Sequence, residues 1–230
     1  MRLELLEAFQ ICDSTFPIGT FNHSFGMENY LSRRAIRKAP QFRTWLENYY
    51  GSQFRCGEGL LVLLCYRAME ENRVEDLLLY DDIITKSTVA TETREGCRMI
   101  ASQMIRLMQT MYGDSIPLLN RYAEQVEAEQ AYGNPAVVFS IFAHDRGISP
   151  RDAYELYGYS VASTLVQNAV RSVPLGQREG QVILRDTIRL ISELYEKSTG
   201  MDESWLGANT PGLELAQICH ETQEARLFMS

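Results

Sequence analysis

The stretch SPRDAYELYGYSVASTLVQNAVRSVPLGQ, residues 149–177, decides the fold. Tyr154, Tyr157, Gly158, Val161, Ala162, Leu165 and Ala169 recur at steps of three and four residues. That spacing puts them on one face of a helix with 3.6 residues per turn, whereas a half-buried strand would alternate apolar and polar residues. The start is marked by Ser149, Pro150, Arg151 and Asp152. Serine suits the N-cap, proline the first helical position, and aspartate takes the place of glutamate in a capping box. Pro174 marks the end, because it lacks an N–H and its ring clashes with the preceding turn. Arg171 therefore lies near a helix C-terminus, where the dipole favours a cation. The small residues Gly158 and Ala162 would let a second helix approach closely, and they fit an ordinary core helix equally well.

The same period extends along the rest of the chain. Helices are predicted near 3–11, 22–32, 40–54, 57–71, 73–86, 88–112, 118–130, 135–145, 150–172, 177–197 and 211–223, with an irregular segment from about 12 to 21. Pro40, Pro135, Pro150 and Pro211 suit first-turn positions, with Asn134 and Thr210 as N-caps. Asn72 followed by Glu75 reads as a further capping box. No run of alternating residues argues for a strand. The longest loop, about 198–210, contains Gly200 and Gly207. There is no internal repeat and no shift in composition that would divide the chain. The expected architecture is all-α, a single-domain helical bundle of about ten helices over 1–230.

Lysine and arginine number 22 against 30 acidic residues, a net charge of −8. Such a chain is a poor general binder of nucleic acid, because phosphate contacts need clustered cations. One short basic run stands out: Arg33, Arg34, Arg37, Lys38 and Arg43. A protein contact or plain solvation is favoured over nucleic acid for it. Acidic residues interrupt the first seven positions, so no secretion signal is read there. The longest apolar stretch, Leu60 to Cys65, is far too short to cross a bilayer. Cys12, Cys56, Cys65, Cys97 and Cys219 form no C-x-x-C pair and read as reduced thiols of a cytoplasmic protein.

Several chemistries lack their residues. The glycine-containing segment Gly176–Gln181 has no phosphate-binding lysine and follows no strand. His220-Glu221 begins like H-E-x-x-H, but position 224 is Glu, so the second imidazole is missing. Cys219 and His220 point about 100° apart on a helix and make no natural chelate. None of His23, His144 and His220 has a Glu three residues before it, as a di-metal bundle would need. The G-x-S-x-G elbow is also missing around Ser24.

Three segments are unusual for a generic helical chain. The first, residues 13–28, reads DSTFPIGTFNHSFGME. Pro17 and Gly19 suit a tight turn, and Phe16, Phe21 and Phe25 are expected to pin it onto the core. The second, residues 168–177, reads NAVRSVPLGQ. The third, residues 220–230, reads HETQEARLFMS and places apolar side chains where chain ends usually fray.

Together these segments resemble the UreF family of urease accessory proteins. The family's opening turn, roughly D-S-x-x-P-x-G-[GA] followed by S-x-G-x-E, is matched by Asp13, Ser14, Pro17, Gly19, Ser24, Gly26 and Glu28, while Thr20 departs from it. The pattern A-V-[KR]-x-V-P-x-G-Q is matched by Ala169, Val170, Arg171, Val173, Pro174, Gly176 and Gln177. The pattern H-E-T-Q-x-x-R-L-F-x-S is matched by His220, Glu221, Thr222, Gln223, Arg226, Leu227, Phe228 and Ser230. Glu92-Thr93-Arg94-Glu95 is similar to a short family motif as well.

The resemblance implies an all-α urease maturation scaffold without catalytic residues. Its partners would be UreD (also called UreH), the GTPase UreG and apo-urease, with homodimerisation in the complex and neither nucleic acid nor membrane. Nickel would be the transferred ion and GTP the partner's ligand, with no cofactor bound tightly by this chain. Arg171, Gln177, His220, Glu221, Arg226, Leu227 and Phe228 are the candidate partner-binding residues. Ser14, Pro17, Gly19, Ser24, Gly26, Glu28, Pro174 and Gly176 would be structural. The tail 224–230 is expected to be mobile until UreD binds. An alternative is activation of GTP hydrolysis by Arg171 or Arg226 acting in trans. A helical metalloenzyme is the more distant alternative.

Overall fold

The computed structural model describes residues 3–208 and 210–230. Its α-helices are α1 (Leu3–Cys12), α2 (Met27–Ser32), α3 (Ala39–Tyr49), α4 (Glu58–Glu70), α5 (Asp76–Ser87), α6 (Thr91–Tyr112), α7 (Pro117–Glu127), α8 (Pro135–Asp145), α9 (Pro150–Ser172), α10 (Gln177–Ser198) and α11 (Pro211–His220). Short 3-10 turns cover Thr20–Asn22, Gly113–Ser115 and Glu203–Trp205, and a π turn covers Tyr50–Phe54. No strand occurs among the described residues, so the fold is all-α, as expected.

A helix that is apolar all round must be covered on every side. In α8 every residue from Pro135 to Ala143 is buried, and α4, α6, α7 and α9 surround it. The long helix α9 packs along α10. Tyr154, Tyr157, Gly158, Ala162, Leu165 and Ala169 are buried on α9, with Val161 partly so. Gly158 marks a close approach: a Cβ there would stand 2.8 Å from Ile191 Cγ2 and 3.2 Å from Phe54 Cζ. Tyr50 Oη donates to the Gly158 carbonyl at 2.7 Å, which ties the π turn to the same point.

The caps divide into local and distant ones. Asn134 Oδ1 accepts the Ala136 N–H at 2.9 Å, and Ser149 Oγ accepts the Asp152 N–H at 3.1 Å. Thr210 makes no such bond. The capping box expected from Asn72 to Glu75 does not form. Asn72 is left-handed (φ 55°) and closes α4 instead, with the Arg73 N–H returning to the Ala68 carbonyl at 2.7 Å. Asn tolerates that region and can end a helix as glycine does.

The predicted helix 22–32 starts late. Phe25 (φ 51°) and Gly26 (φ 92°) are left-handed, and the Ser24 and Phe25 N–H groups donate to the Ser230 carbonyl at 2.5 and 3.1 Å. The predicted helix 88–112 likewise begins at Thr91. There Glu221 Oε1 accepts the Thr91 N–H at 2.6 Å and the Glu92 N–H at 3.3 Å. A carboxylate at a helix N-terminus satisfies orphan donors and opposes the dipole. It comes from 130 residues away, so no local signal announced it.

Candidate functional site

The three unusual segments, together with the Glu92 motif, converge on one region. Its centre is His220 at the end of α11, which is fully buried. His220 Nδ1 lies 2.8 Å from Glu92 Oε2, and Nε2 lies 3.0 Å from Glu28 Oε2. An ionised carboxylate can only accept, so the ring serves both partners as a donor only when both nitrogens carry protons. Arg226 Nη1 donates to Glu92 Oε1 at 2.5 Å. Burial pushes the Glu92 carboxyl up, but hydrogen bonds and charge from His220 and Arg226 outweigh it and hold the group below its ordinary value.

Glu28 is buried and fully engaged. Besides His220, it accepts the Leu227 N–H on Oε1 at 2.5 Å and the Phe228 N–H on Oε2 at 3.0 Å. The tail, expected to be mobile until UreD binds, lies packed against the protein in this structure. Phe228 and Ser230 are buried against the protein, while Arg226, Leu227 and Met229 stay exposed. The physical reason is the pairing of otherwise orphaned tail amides with a carboxylate some two hundred residues earlier. Ser230 is further held by His23, whose Nδ1 lies 2.8 Å from its Oγ. Burial lowers the His23 pKa, which favours the neutral ring.

The middle segment joins through two residues. Asn168 Nδ2 donates to the His23 carbonyl at 2.8 Å. The Arg171 guanidinium stacks 3.8 Å above the Phe21 ring and 5.4 Å from the Phe228 ring, and its Nη1 donates to the Phe21 carbonyl at 3.2 Å. Arg171 thus binds the opening turn to the tail, besides sitting in the last turn of α9. Phe16 is buried and Phe25 packs at the core edge, but Phe21 is 44 % exposed. Its role differs from the expected core anchor, since its face is the platform for Arg171.

The remaining motif residues separate into two groups. Ser24 is buried, and its Oγ accepts the Glu28 N–H at 3.3 Å. At Gly26 a Cβ would stand 2.9 Å from Gln217 Cγ, so glycine allows α11 to close over the turn. Gly19 is left-handed (φ 87°) with open space around it. Ser14, Pro17 and Pro174 are exposed. The Gly176 N–H donates to Glu179 Oε2 at 3.2 Å, and Gln177 opens α10 on the surface with no hydrogen bond to the cluster among the described residues.

A recess of about 110 Å³ runs beneath this region, with Phe25, Thr93 and Gln217 at its cluster side. Deeper in, Glu58, Cys97 and Tyr157 line it. Glu58 accepts from Tyr157 Oη at 3.0 Å and has no cationic partner among the described residues, and burial pushes its carboxyl up to about 6. The sequence reading missed Glu58. It is one acidic residue in the first turn of an apolar helix, where a carboxylate is ordinary. Among the described residues no group of three or more His, Cys, Asp and Glu side chains is arranged to hold a metal ion. None of the described helices is long and apolar enough to cross a membrane.

The family model described as UreF matches residues 36–188. A protein named urease accessory protein UreF from Streptococcus thermophilus is 49% identical over 227 residues, covering 99% of this chain and 95% of the relative. The same-named protein from Streptococcus salivarius has the same identity and coverage. That of Bacillus sp. is 39% identical over 226 residues, covering 98% of this chain and 99% of the relative. The 227- and 226-residue alignments span nearly the whole chain, so they take in most of the opening turn and tail that lie outside the family match.

Proposed function

This chain belongs to the UreF family of urease accessory proteins, and from that premise we propose that it is a non-catalytic scaffold of urease maturation. With UreD/UreH it recruits the GTPase UreG to apo-urease and supports GTP-dependent delivery of nickel, as a cytoplasmic protein that dimerises in the complex. The observation that carries this reading is the convergence of opening turn, middle segment and tail on one surface. Arg171 joins Phe21 to Phe228 there, with Leu227 and Met229 exposed beside them. A mixed aromatic, aliphatic and arginine surface of this kind suits protein contact. The recess below it, with the carboxylate of Glu58 and the thiol of Cys97 among its lining, supports a protected route for nickel over hand-over in open solvent. On α1, the exposed residues Leu3, Leu6 and Phe9, the last stacked on Tyr159, support a second apolar contact such as a homodimer would use.

Activation of GTP hydrolysis in trans fits less well. Arg226 is committed to Glu92, and Arg171 to Phe21 and its carbonyl. An arginine finger must leave such partners to reach a γ-phosphate. The test is reconstitution of urease activation from purified proteins with Arg171→Ala. Stability is expected to fall by no more than about 1 kcal/mol, with a correspondingly small shift of the thermal midpoint, since the side chain is exposed. Active, nickel-loaded urease is expected to fall severalfold. Unchanged nickel content and activity would remove Arg171 from the interface. A large acceleration of GTP turnover by the wild-type chain, lost in Arg171→Ala, would favour the trans-arginine reading.

A further inference from the structure

The basic run takes no part in the cluster just described, and its geometry has its own logic. Arg33, Arg34, Arg37 and Lys38 are all exposed on the connection between α2 and α3. The connection is anchored to α2 and the core. Ile36 is buried within it, the Arg33 N–H returns to the Asn29 carbonyl at 3.0 Å, and the Ala35 N–H returns to the Tyr30 carbonyl at 2.9 Å.

None of the four forms an ion pair with a carboxylate among the described residues. Arg33 donates to Cys219 Sγ at 3.0 Å and Arg37 to the Arg34 carbonyl at 2.8 Å, and neither acceptor is a carboxylate. Arg43, at the end of the run, behaves differently and pairs with Asp186 at 2.5 Å. In a chain with 30 acidic and 22 basic residues, four clustered cations with no ion-paired carboxylate among the described residues are an anomaly.

Helix electrostatics explain only half of it. Arg33 and Arg34 follow the C-terminus of α2, where positive charge is favoured. Arg37 and Lys38 stand at the N-terminus of α3, where it is disfavoured, and α3 has no acidic residue in its first turn to compensate. Like charges so placed repel one another and the helix, an arrangement that an external anionic surface would relieve.

We propose that the α2–α3 connection is a docking point for an acidic surface of a protein partner, an inference that rests on the scaffold reading. Charge complementarity sets the class of occupant. Arginine forks match carboxylates, and a turn held by backbone hydrogen bonds presents them with little backbone ordering left to do. Protein is favoured over nucleic acid because the rest of the chain carries 18 cations against 30 acids and would repel an extended polyanion. The turn is also contiguous with the tail region: Arg33 reaches Cys219, and Asn29 Nδ2 reaches Gln223 Oε1 at 3.5 Å. A partner seated on the tail cluster would meet both.

The test uses the full chain, the triple variant Arg34→Glu/Arg37→Glu/Lys38→Glu, and the double variant Arg37→Glu/Lys38→Glu, which spares the left-handed backbone of Arg34 (φ 58°). Circular dichroism establishes that each is folded. Binding to purified UreD/UreH, UreG and apo-urease, and to a 20-nucleotide single- and double-stranded DNA, is measured at 50 and 300 mM salt. The expected result is a loss of about tenfold or more in affinity for one protein partner in both variants. Wild-type affinity for that partner should weaken with salt, with no comparable DNA binding. Affinities within twofold of wild type for all three proteins overturn the proposal. So does wild-type DNA binding that the variants lose while protein binding persists. A wild-type chain that binds none of the three overturns the scaffold reading and the docking point together.

Discussion

Glu58 and Gly19 show how single residues carry opposite kinds of cost. Glu58 is a deep carboxyl with one hydroxyl donor and no cation beside it among the described residues, raised from 4.5 to about 6 by burial. Its folded value lies above its unfolded one. The stability that the protonated form contributes is therefore fully present below about 4.5 and is lost as pH rises through about 6. The difference corresponds to about 2 kcal/mol. Glu58→Gln, which keeps a hydrogen-bonding partner for Tyr157, is expected to raise the thermal midpoint at pH 7.5 and to leave it nearly unchanged at pH 4.5. An equal shift at both pH values would contradict this account. Gly19 has no neighbour for a Cβ to strike, so the cost of Gly19→Val comes only from its left-handed backbone. A loss of about 1–2 kcal/mol in chemical denaturation is expected, with Gly19→Asn milder because asparagine tolerates that region. The tight turn at Gly19 is legible from Pro17 and Gly19, and its left-handed backbone is seen in the structure. The exposure of Glu58 to a recess is not legible in the sequence, because one carboxylate on an apolar helix carries no mark of what faces it.

At the scale of elements, the contact of α9 with α10 was foreshadowed by Gly158 on a bulky face, although its partner Ile191 could not be named. Gly158→Ala brings two opposing effects. Alanine favours the helix by up to about 1 kcal/mol, but the new methyl meets Ile191 Cγ2 at 2.8 Å and must push α10 or the π turn aside. We expect a net destabilisation of about 1–2 kcal/mol by denaturant titration; a more stable variant would mean that the interface yields freely. Helix starts with a local Asn or Ser cap were read where they are. The start of α6 was misplaced by three residues because its capping carboxylate is Glu221. At Asn72 the residue type was informative but ambiguous, since the same side chain can open one helix or close another.

Over the whole molecule, the last ten residues bring distant parts of the chain together. Deleting residues 224–230 removes the burial of Phe228, takes the Leu227 and Phe228 amides from Glu28, and leaves the His23 ring and the Ser24 amide without Ser230. Burial of one phenylalanine and these four hydrogen bonds, offset in part by the entropy of ordering the tail, suggest a loss of about 3–5 kcal/mol. The truncated chain is expected to melt well below the intact one and to fail in urease activation. An unchanged melting temperature would mean that the tail contributes no net stability. The milder variant Phe228→Ala separates the two effects. Its fold should survive, and hydrogen exchange at Leu227 and Met229 should speed up if the ring anchors the tail.

By itself the sequence determined the helical class, most of the helices, the face of α9 and the family. These depend on contacts within a few residues or on ordered motifs, and both are written along the chain. Only the tertiary structure decided that His220 lies between Glu28 and Glu92, that Arg171 spans two aromatic rings, and that Glu28 fastens the tail. The reason is physical. A buried donor or acceptor must find a partner, but nothing in its own neighbourhood specifies which, and here the partners stand some 130 to 200 residues away.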